Sequence, residues 1–242
     1  GDGSDFMSGG KGDDRVQVNF NTDLVNDNLQ NKDVAEFSVT GDGVQFARVE
    51  LNDQAVNGLF QLDIRSTETL ETNFGDGDDT ARIVDDVLDA IQLDLDGGDG
   101  VDTLDFSEAS AGIEVDLDTG TVGTAIVENF ENVVGTEFND VIVGDDGANV
   151  IEGGSGNNVL TGGAGTDVFS FVDGESGTDT ITDFEIGIDQ VQLDPAFGLE
   201  AGDLPALLTQ AGDDVELALG DKTIVIEDAL VEEFNADDFL IA

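Results

Sequence analysis

Residues 135–170 consist of four consecutive nine-residue units, GTEFNDVIV, GDDGANVIE, GGSGNNVLT and GGAGTDVFS. Their common pattern is G-G-x-G-x-D-x-U-x, with U apolar. The chemistry on offer is that of a hard cation site. Glycines at the first, second and fourth positions allow positive φ and an open, tight turn. Carbonyls of such a turn can point inward, and the sixth residue adds a carboxylate, so that oxygen ligands suited to a divalent cation converge at each corner. The last three residues make a minimal strand, whose apolar member (Ile142, Ile151, Leu160, Phe169) faces a core.

Isolated copies of the pattern lie upstream. GDGSDFMS, at the start, lacks only the first glycine, and GGKGDDRVQ follows it, with Asp5 and Asp14 at the sixth position. FGDGDDTAR is an imperfect copy with Asp79 in that place, and GGDGVDTLD is a full copy with Asp102. A lone GDGDD is equally a plain acidic turn, so metal corner and simple turn both stand open for Asp79. Because the sequence begins inside the pattern, an array that continues upstream in a longer protein is expected.

Composition agrees with a cation-binding chain. Lys and Arg number 7 against 56 Asp and Glu, a formal net charge of -49 over 242 residues. A compact chain this acidic repels itself, and multivalent cations relieve that most directly. It is not a typical acidic disordered tail, since 39% of its residues are hydrophobic and 15 are Phe. Thirty-two Gly against 2 Pro suit many tight turns and short strands. The scarcity of basic residues argues against nucleic acid as a partner. The absence of Cys and His removes disulfides, thiolate metal sites and His-based triads. No apolar run approaches the ~20 residues of a membrane helix, so membrane insertion is not expected.

Three zones position these residues. Zone 1–134 carries the isolated copies between alternating stretches such as VQVNF, AEFSV, VQFARVEL and LFQLDI, which read as half-buried strands. Arg15, Lys32, Arg48, Arg65 and Arg82 follow one another at intervals of 17, 16, 17 and 17 residues. One reading stacks them on one face of a coiled parallel architecture; the other scatters them to relieve acidic surface; a stripe for a polyanionic glycan is a third. Zone 135–170 is the regular array. Zone 171–242 holds DTITDF, a short helical turn at ALLTQ after Leu204-Pro205, and a hairpin, VELALGDKTIVIE, around Gly220-Asp221. Asn235 with Asp238 suits a cap before the apolar end FLIA, which reads as a docked terminal strand or helix.

The array, its approach VENFENVVGTEFNDVIVGD, the DTITDF segment, the hairpin and the DDFLIA ending together resemble the RTX family, the haemolysin-type calcium-binding repeat proteins. From about residue 171 the chain also resembles the C-terminal region of serralysin-like and other type I secreted proteins. The resemblance implies an all-β fold: a right-handed parallel β-roll or β-helix with two nonapeptides per turn and a C-terminal cap containing a β-hairpin. It further implies several Ca²⁺ ions, each between a loop and the next-but-one loop. One site would use carbonyls of Gly135, Glu137, Gly154 and Gly156 with Asp140 and Asn158. A second would use carbonyls of Gly144, Asp146, Gly163 and Gly165 with Asn149 and Asp167. Asp179 and Asp183 of DTITDF complete the candidate ligands. Asn149 and Asn158 stand where the family has Asp, so each site has one charged side-chain ligand and is expected to bind weakly, on the order of 10⁻⁴–10⁻³ M.

The implied function is a calcium-triggered folding module, exported by a type I secretion apparatus from a Gram-negative bacterium to the medium or cell surface and not itself an enzyme. Two rival readings are a surface adhesin, surface-layer or carbohydrate-binding segment, with an extracellular polysaccharide or cell surface as partner, and a polysaccharide-processing β-helix enzyme. Acidic pairs are too abundant here to mark a glycosidase site.

Overall fold

A computed structural model describes residues 78–84 and 92–242 and, upstream, the backbone of the strands Val16–Asn19, Glu36–Thr40, Ala47–Asp53, Gly58–Arg65 and Thr69–Asn73. Asp5, Asp14, Arg15 and Lys32 lie outside the described residues. Regular structure among the described residues is strand and short 3₁₀ turn, without an α-helix. No helix there is long and apolar enough to cross a membrane. Contacts divide the chain into two units, Gly1–Ala111 with Thr119–Asn132, and Gly112–Asp118 with Val133–Ala242. The regular array and the zone after it therefore share one unit.

In that second unit the nonapeptides form a roll of two parallel sheets. One sheet stacks Glu114–Asp116, Val141–Val143, Val159–Thr161, Gly177–Ile181 and Lys222–Ile226. The other stacks Val150–Glu152, Val168–Phe171, Gln190–Leu193 and Phe239–Ile241. Three-residue strands suffice because each needs to bury only its central side chain. Ile142, Leu160 and Ile181 form one interior column and Ile151, Phe169 and Val191 the other, all at 0% exposure. Burying each such side chain contributes about 1.5–3 kcal/mol. Stacked rungs are 18 residues apart where nonapeptides are contiguous, and 21 and 22 apart in the turn that follows.

The C-terminal zone closes both sheets. Asp214–Leu219 and Lys222–Ile226 pair antiparallel, with Leu219 opposite Lys222, while Lys222–Ile226 also runs parallel to Gly177–Ile181. The hairpin thus covers an edge that would otherwise expose unpaired backbone. Phe169, Phe184, Phe234 and Phe239 form a chain of ring contacts at 6.1, 5.8 and 6.0 Å, which ties the terminal strand to the last array unit. The expected cap is present: Asn235 accepts from the Asp237 N–H, and Asp238 accepts from the Asn235 N–H. The helical turn expected at ALLTQ falls earlier, at Ala201–Ala206. Thr209–Ala211 is instead a strand, because Gln210 donates to the carbonyls of Gly212, Asp214 and Ala229 and holds that segment on the hairpin edge.

The first unit has its own mixed pairing. Val16–Asn19, Thr69–Asn73, Gln92–Asp96 and Ala125–Glu128 are parallel, as are Asp79–Val84 and Thr103–Asp105. Ala47–Asp53, however, runs antiparallel to both Gly58–Arg65 and Asp79–Val84. The basic spacing therefore does not make a ladder. Arg48 lies opposite Asp63 and Val84, Arg65 opposite Thr40, and Arg82 opposite Glu50 and Asp105. Equal sequence spacing marks a turn of a roll only when every strand runs the same way. Arg82 is also engaged by acid, with Nε 2.7 Å from Asp105 and Nη1 3.5 Å from Glu108.

Replacing Phe169 by Ala removes a fully buried ring at the junction of array and cap. We expect a loss of ~3–5 kcal/mol in urea unfolding at saturating calcium. Val141→Thr, on an exposed position of the same roll, is expected to change stability by less than ~0.5 kcal/mol in the same assay.

Candidate metal centre

Each turn places its sixth-position residue at the inner edge of a corner, just before a strand whose second residue is buried. The buried pairs Asp79 and Ala81, Asp102 and Leu104, Asp140 and Ile142, Asn158 and Leu160, and Asp167 and Phe169 all obey this spacing. One oxygen of the sixth residue then accepts the backbone N–H of the residue stacked in the preceding turn. In the second unit, Asp140 accepts from Ile113, Asn158 from Asp140, and Asp179 from Asn158, at 2.8, 2.9 and 3.2 Å. Beside the other sheet, Asp167 accepts from Asn149 and Asp189 from Asp167, at 2.9 and 3.0 Å. In the first unit, Asp102 accepts from Asp79 at 2.7 Å, and Glu131 accepts from Asp102 at 2.7 Å. Asp79 therefore belongs to a stacked row and is not a stray acidic turn.

Tight stacking also explains the glycines. Gly163 and Gly165 have φ of 95° and 133°, and a Cβ on either would strike the carbonyl oxygens of Asp145 and Gly147 one turn earlier. The corners are thus lined by backbone carbonyls at van der Waals range. Thr136 and Phe138 replace glycines in the first array unit without positive φ, since Asn129 and Asp228 are the only non-glycine residues with positive φ among those described. The Phe138 ring points into solvent.

The two rows of the second unit differ in what answers their second carboxylate oxygen. In the row Asp140–Asn158–Asp179 the protein itself supplies donors. The Thr136 N–H and hydroxyl both bond Asp140. Asn158 turns its amide nitrogen, not its oxygen, toward the Gly153, Gly154 and Ser155 carbonyls. The Lys222 ammonium lies 2.7 Å from Asp179 Oδ2 and 2.6 Å from the Gly154 carbonyl. Asp140 and Asn158 come together, their polar atoms and the Gly154 carbonyl have protein partners, and the Gly156 carbonyl packs against Gly177. The cation beside Asp179 is the Lys222 ammonium. The Glu137 side chain is exposed, so its carbonyl is the atom it has to offer, and a Cβ on Gly135 would meet the Gly153 carbonyl and Asp140.

The row Asn149–Asp167–Asp189 is different. Asp167 is fully buried, and its Oδ2 has no hydrogen-bond partner among the protein atoms. Burial pushes its carboxyl up to about 6, with Asp189, Asp183 and Asp145 adding repulsion. Asn149 Oδ1 accepts from the Asp145 N–H, and Asp183 accepts from the N–H groups of Gly162 and Gly163 at 2.8 Å each. Asp167 Oδ2 lies against Gly162, where a Cβ would come within 2.5 Å of it, and the Asp146 side chain faces solvent, leaving only its carbonyl to contribute. In the first unit Asp102 repeats this state: buried, Oδ2 without a protein partner, and its carboxyl pushed up to about 6 by burial and by Glu131, Asp78 and Asp96. Among the described residues no three acidic side chains cluster as a self-sufficient metal site. What suits Ca²⁺ here is a buried carboxylate oxygen without a protein donor in glycine corners that carry backbone carbonyls, the hard-oxygen chemistry this ion requires.

Sequence reasoning missed Asp189, which is buried and continues the second row. It lacks the first two glycines of the pattern and keeps only Gly187 at the fourth position, but Asp189-Gln190-Val191 has the same acid-to-apolar spacing as the array. Also missed were Asp105, Glu131 and Lys222.

A family profile for the RTX calcium-binding nonapeptide repeat matches residues 1–26 and 134–169, in four copies. No curated protein matches. Among solved structures the chain is similar to the extracellular lipase LipA from Serratia marcescens, at 15% identity and a TM-score of 0.38. That superposition covers 99% of this chain and 40% of the lipase chain, and a score this low carries no argument about function.

The pH response follows from Asp102 and Asp167. Their folded carboxyls titrate at about 6, above the ordinary 3.8. Between those values the metal-free folded state holds more protons than the unfolded chain, so its stability is greatest at low pH and falls as pH rises through about 6. In calcium-stripped buffer the strand signal at a fixed temperature is expected to be greater at pH 5 than at pH 7.5. Saturating calcium is expected to shrink or reverse that difference, because protons and metal compete for the same oxygens. A metal-free strand signal that climbs between pH 5 and 7.5 contradicts the assignment. The stretch that matches the RTX calcium-binding nonapeptide profile, residues 134–169, is the one that contains Asp167.

Proposed function

We propose that this chain is a calcium-gated folding module of a longer exported protein. The observation that carries the reading is the buried, unanswered Asp167 Oδ2, set near three other acids inside the matched repeats. With little calcium, as in a cytosol, carboxylates stacked at the corners repel and the chain stays open enough to thread through a type I secretion apparatus. Outside a Gram-negative cell, calcium answers the corners and the roll closes. An ion that binds only the folded state stabilises it by about 2.7 kcal/mol per site at a hundredfold excess over Kd. Stacked rungs couple neighbouring sites, so folding becomes a steep function of calcium. The module itself is proposed to be non-enzymatic, serving an activity carried elsewhere in the parent protein.

The test is a far-ultraviolet circular-dichroism titration of the metal-free chain. Strand signal is expected to rise cooperatively at submillimolar to millimolar calcium and to fall again with chelator. Full strand signal in chelator, unchanged by calcium, would sink the reading. Calorimetric titration gives a residue-level check. Asp167→Ala is expected to lower calcium affinity more than Asp179→Ala, and the reverse order would remove the ligand assignment.

A further inference from the structure

Lys222 is the only basic residue after Arg82, and it is fully buried in a chain with a formal charge of -49. Its Nζ makes an ion pair at 2.7 Å with Asp179 Oδ2, donates to the Gly154 carbonyl at 2.6 Å, lies 3.8 Å from Glu175, and sits 5.9 Å from the centroid of the Phe171 ring. Asp179 is the register equivalent of Asn158 and Asp140, and Gly154 belongs to the corner one turn earlier. The ammonium therefore holds the two ligand types a calcium ion takes in a corner: a stacked carboxylate oxygen and a glycine carbonyl of the adjoining loop. Its delivery is covalent. The hairpin strand places Lys222 opposite Gly177, and the Gly177 N–H donates to the Asp221 carbonyl.

We propose that Lys222 is a tethered cation that replaces a divalent ion in the last corner of the Asp140–Asn158–Asp179 row, so that this row closes without metal and calcium is directed to the row containing Asp167. The rest of the row fits the assignment. Asp140 is answered by Ile113 and Thr136, and the Asn158 amide bonds Asp179 Oδ1 at 2.9 Å. The hairpin is thereby latched to the array by a contact that needs no calcium. A buried charge left without its partner is strongly destabilising, whereas removing both partners is tolerated. A lysine offers three donors on a point charge, the nearest side-chain equivalent of a small hard cation.

This inference rests on the calcium-binding reading, and the experiment separates the two. The 242-residue wild-type chain, Lys222→Met and Lys222→Met/Asp179→Asn are compared by bound calcium per chain at saturation and by the calcium midpoint of folding. Lys222→Met is expected to need several-fold more calcium to fold and then to bind one ion more than wild type, because metal takes the place of the ammonium. The double variant is expected to return to the wild-type ion count with a midpoint close to wild type. Three results overturn the proposal while leaving the module reading intact: a Lys222→Met chain with unchanged ion count and midpoint, one that stays unfolded in saturating calcium, or a double variant that gains an ion or fails to fold. A wild-type chain that binds no calcium overturns both.

Discussion

One hydrogen bond recurs from turn to turn among the described residues: a carboxylate or amide oxygen of one corner accepts the backbone N–H of the corner stacked before it. Asp102, Asp140, Asn158, Asp167, Asp179 and Asp189 all make it. It fixes the register of successive turns, and it pulls these side chains inward, to an exposure at or below 2%. Parallel strands lie only about 4.8 Å apart. The contact that aligns the roll thus also stacks like charges in a low-dielectric row, and each second oxygen calls for a positive partner. The proposed calcium dependence follows from that demand.

The second unit answers it in two ways. In one row the answers are built into the chain, from a threonine, an asparagine amide and a buried lysine. In the other, Asp167 has no protein donor for Oδ2, and burial with three neighbouring acids holds its proton to about 6. In the proposed reading the first row needs no metal to join array to cap once the roll forms, and the second makes closure conditional on calcium. A roll with only the first kind would fold before export, and one with only the second would have no metal-independent end from which to close. The aromatic chain from Phe169 to Phe239 reinforces the fixed end.

Much of this was legible because the repeat carries its own geometry. The interior columns of Ile142, Leu160, Ile151 and Phe169, the hairpin at Gly220-Asp221 and the Asn235–Asp238 cap all follow from local spacing. Long-range choices were not legible. Nothing near Asp179 in sequence announces that a lysine 43 residues later enters its corner in register with Gly177. The direction of the Asn158 amide depends on which neighbour takes its oxygen, and the Asp140 N–H takes it. The basic periodicity misled because Ala47–Asp53 reverses direction. Asp189 escaped notice because the glycines before an acid are the conspicuous mark of the repeat, whereas the acid-to-apolar spacing is what sets the stacking.

The most direct measurement is a crystal structure of the chain grown in millimolar Ca²⁺, with anomalous difference density collected at long wavelength. The account predicts strong anomalous peaks within coordination range of Asp167 Oδ2 and Asp102 Oδ2, with backbone carbonyls completing each shell, and none between Asp179 and Gly154, where the Lys222 ammonium remains. Ordered corners around Asp167 and Asp102 that hold only water would contradict it.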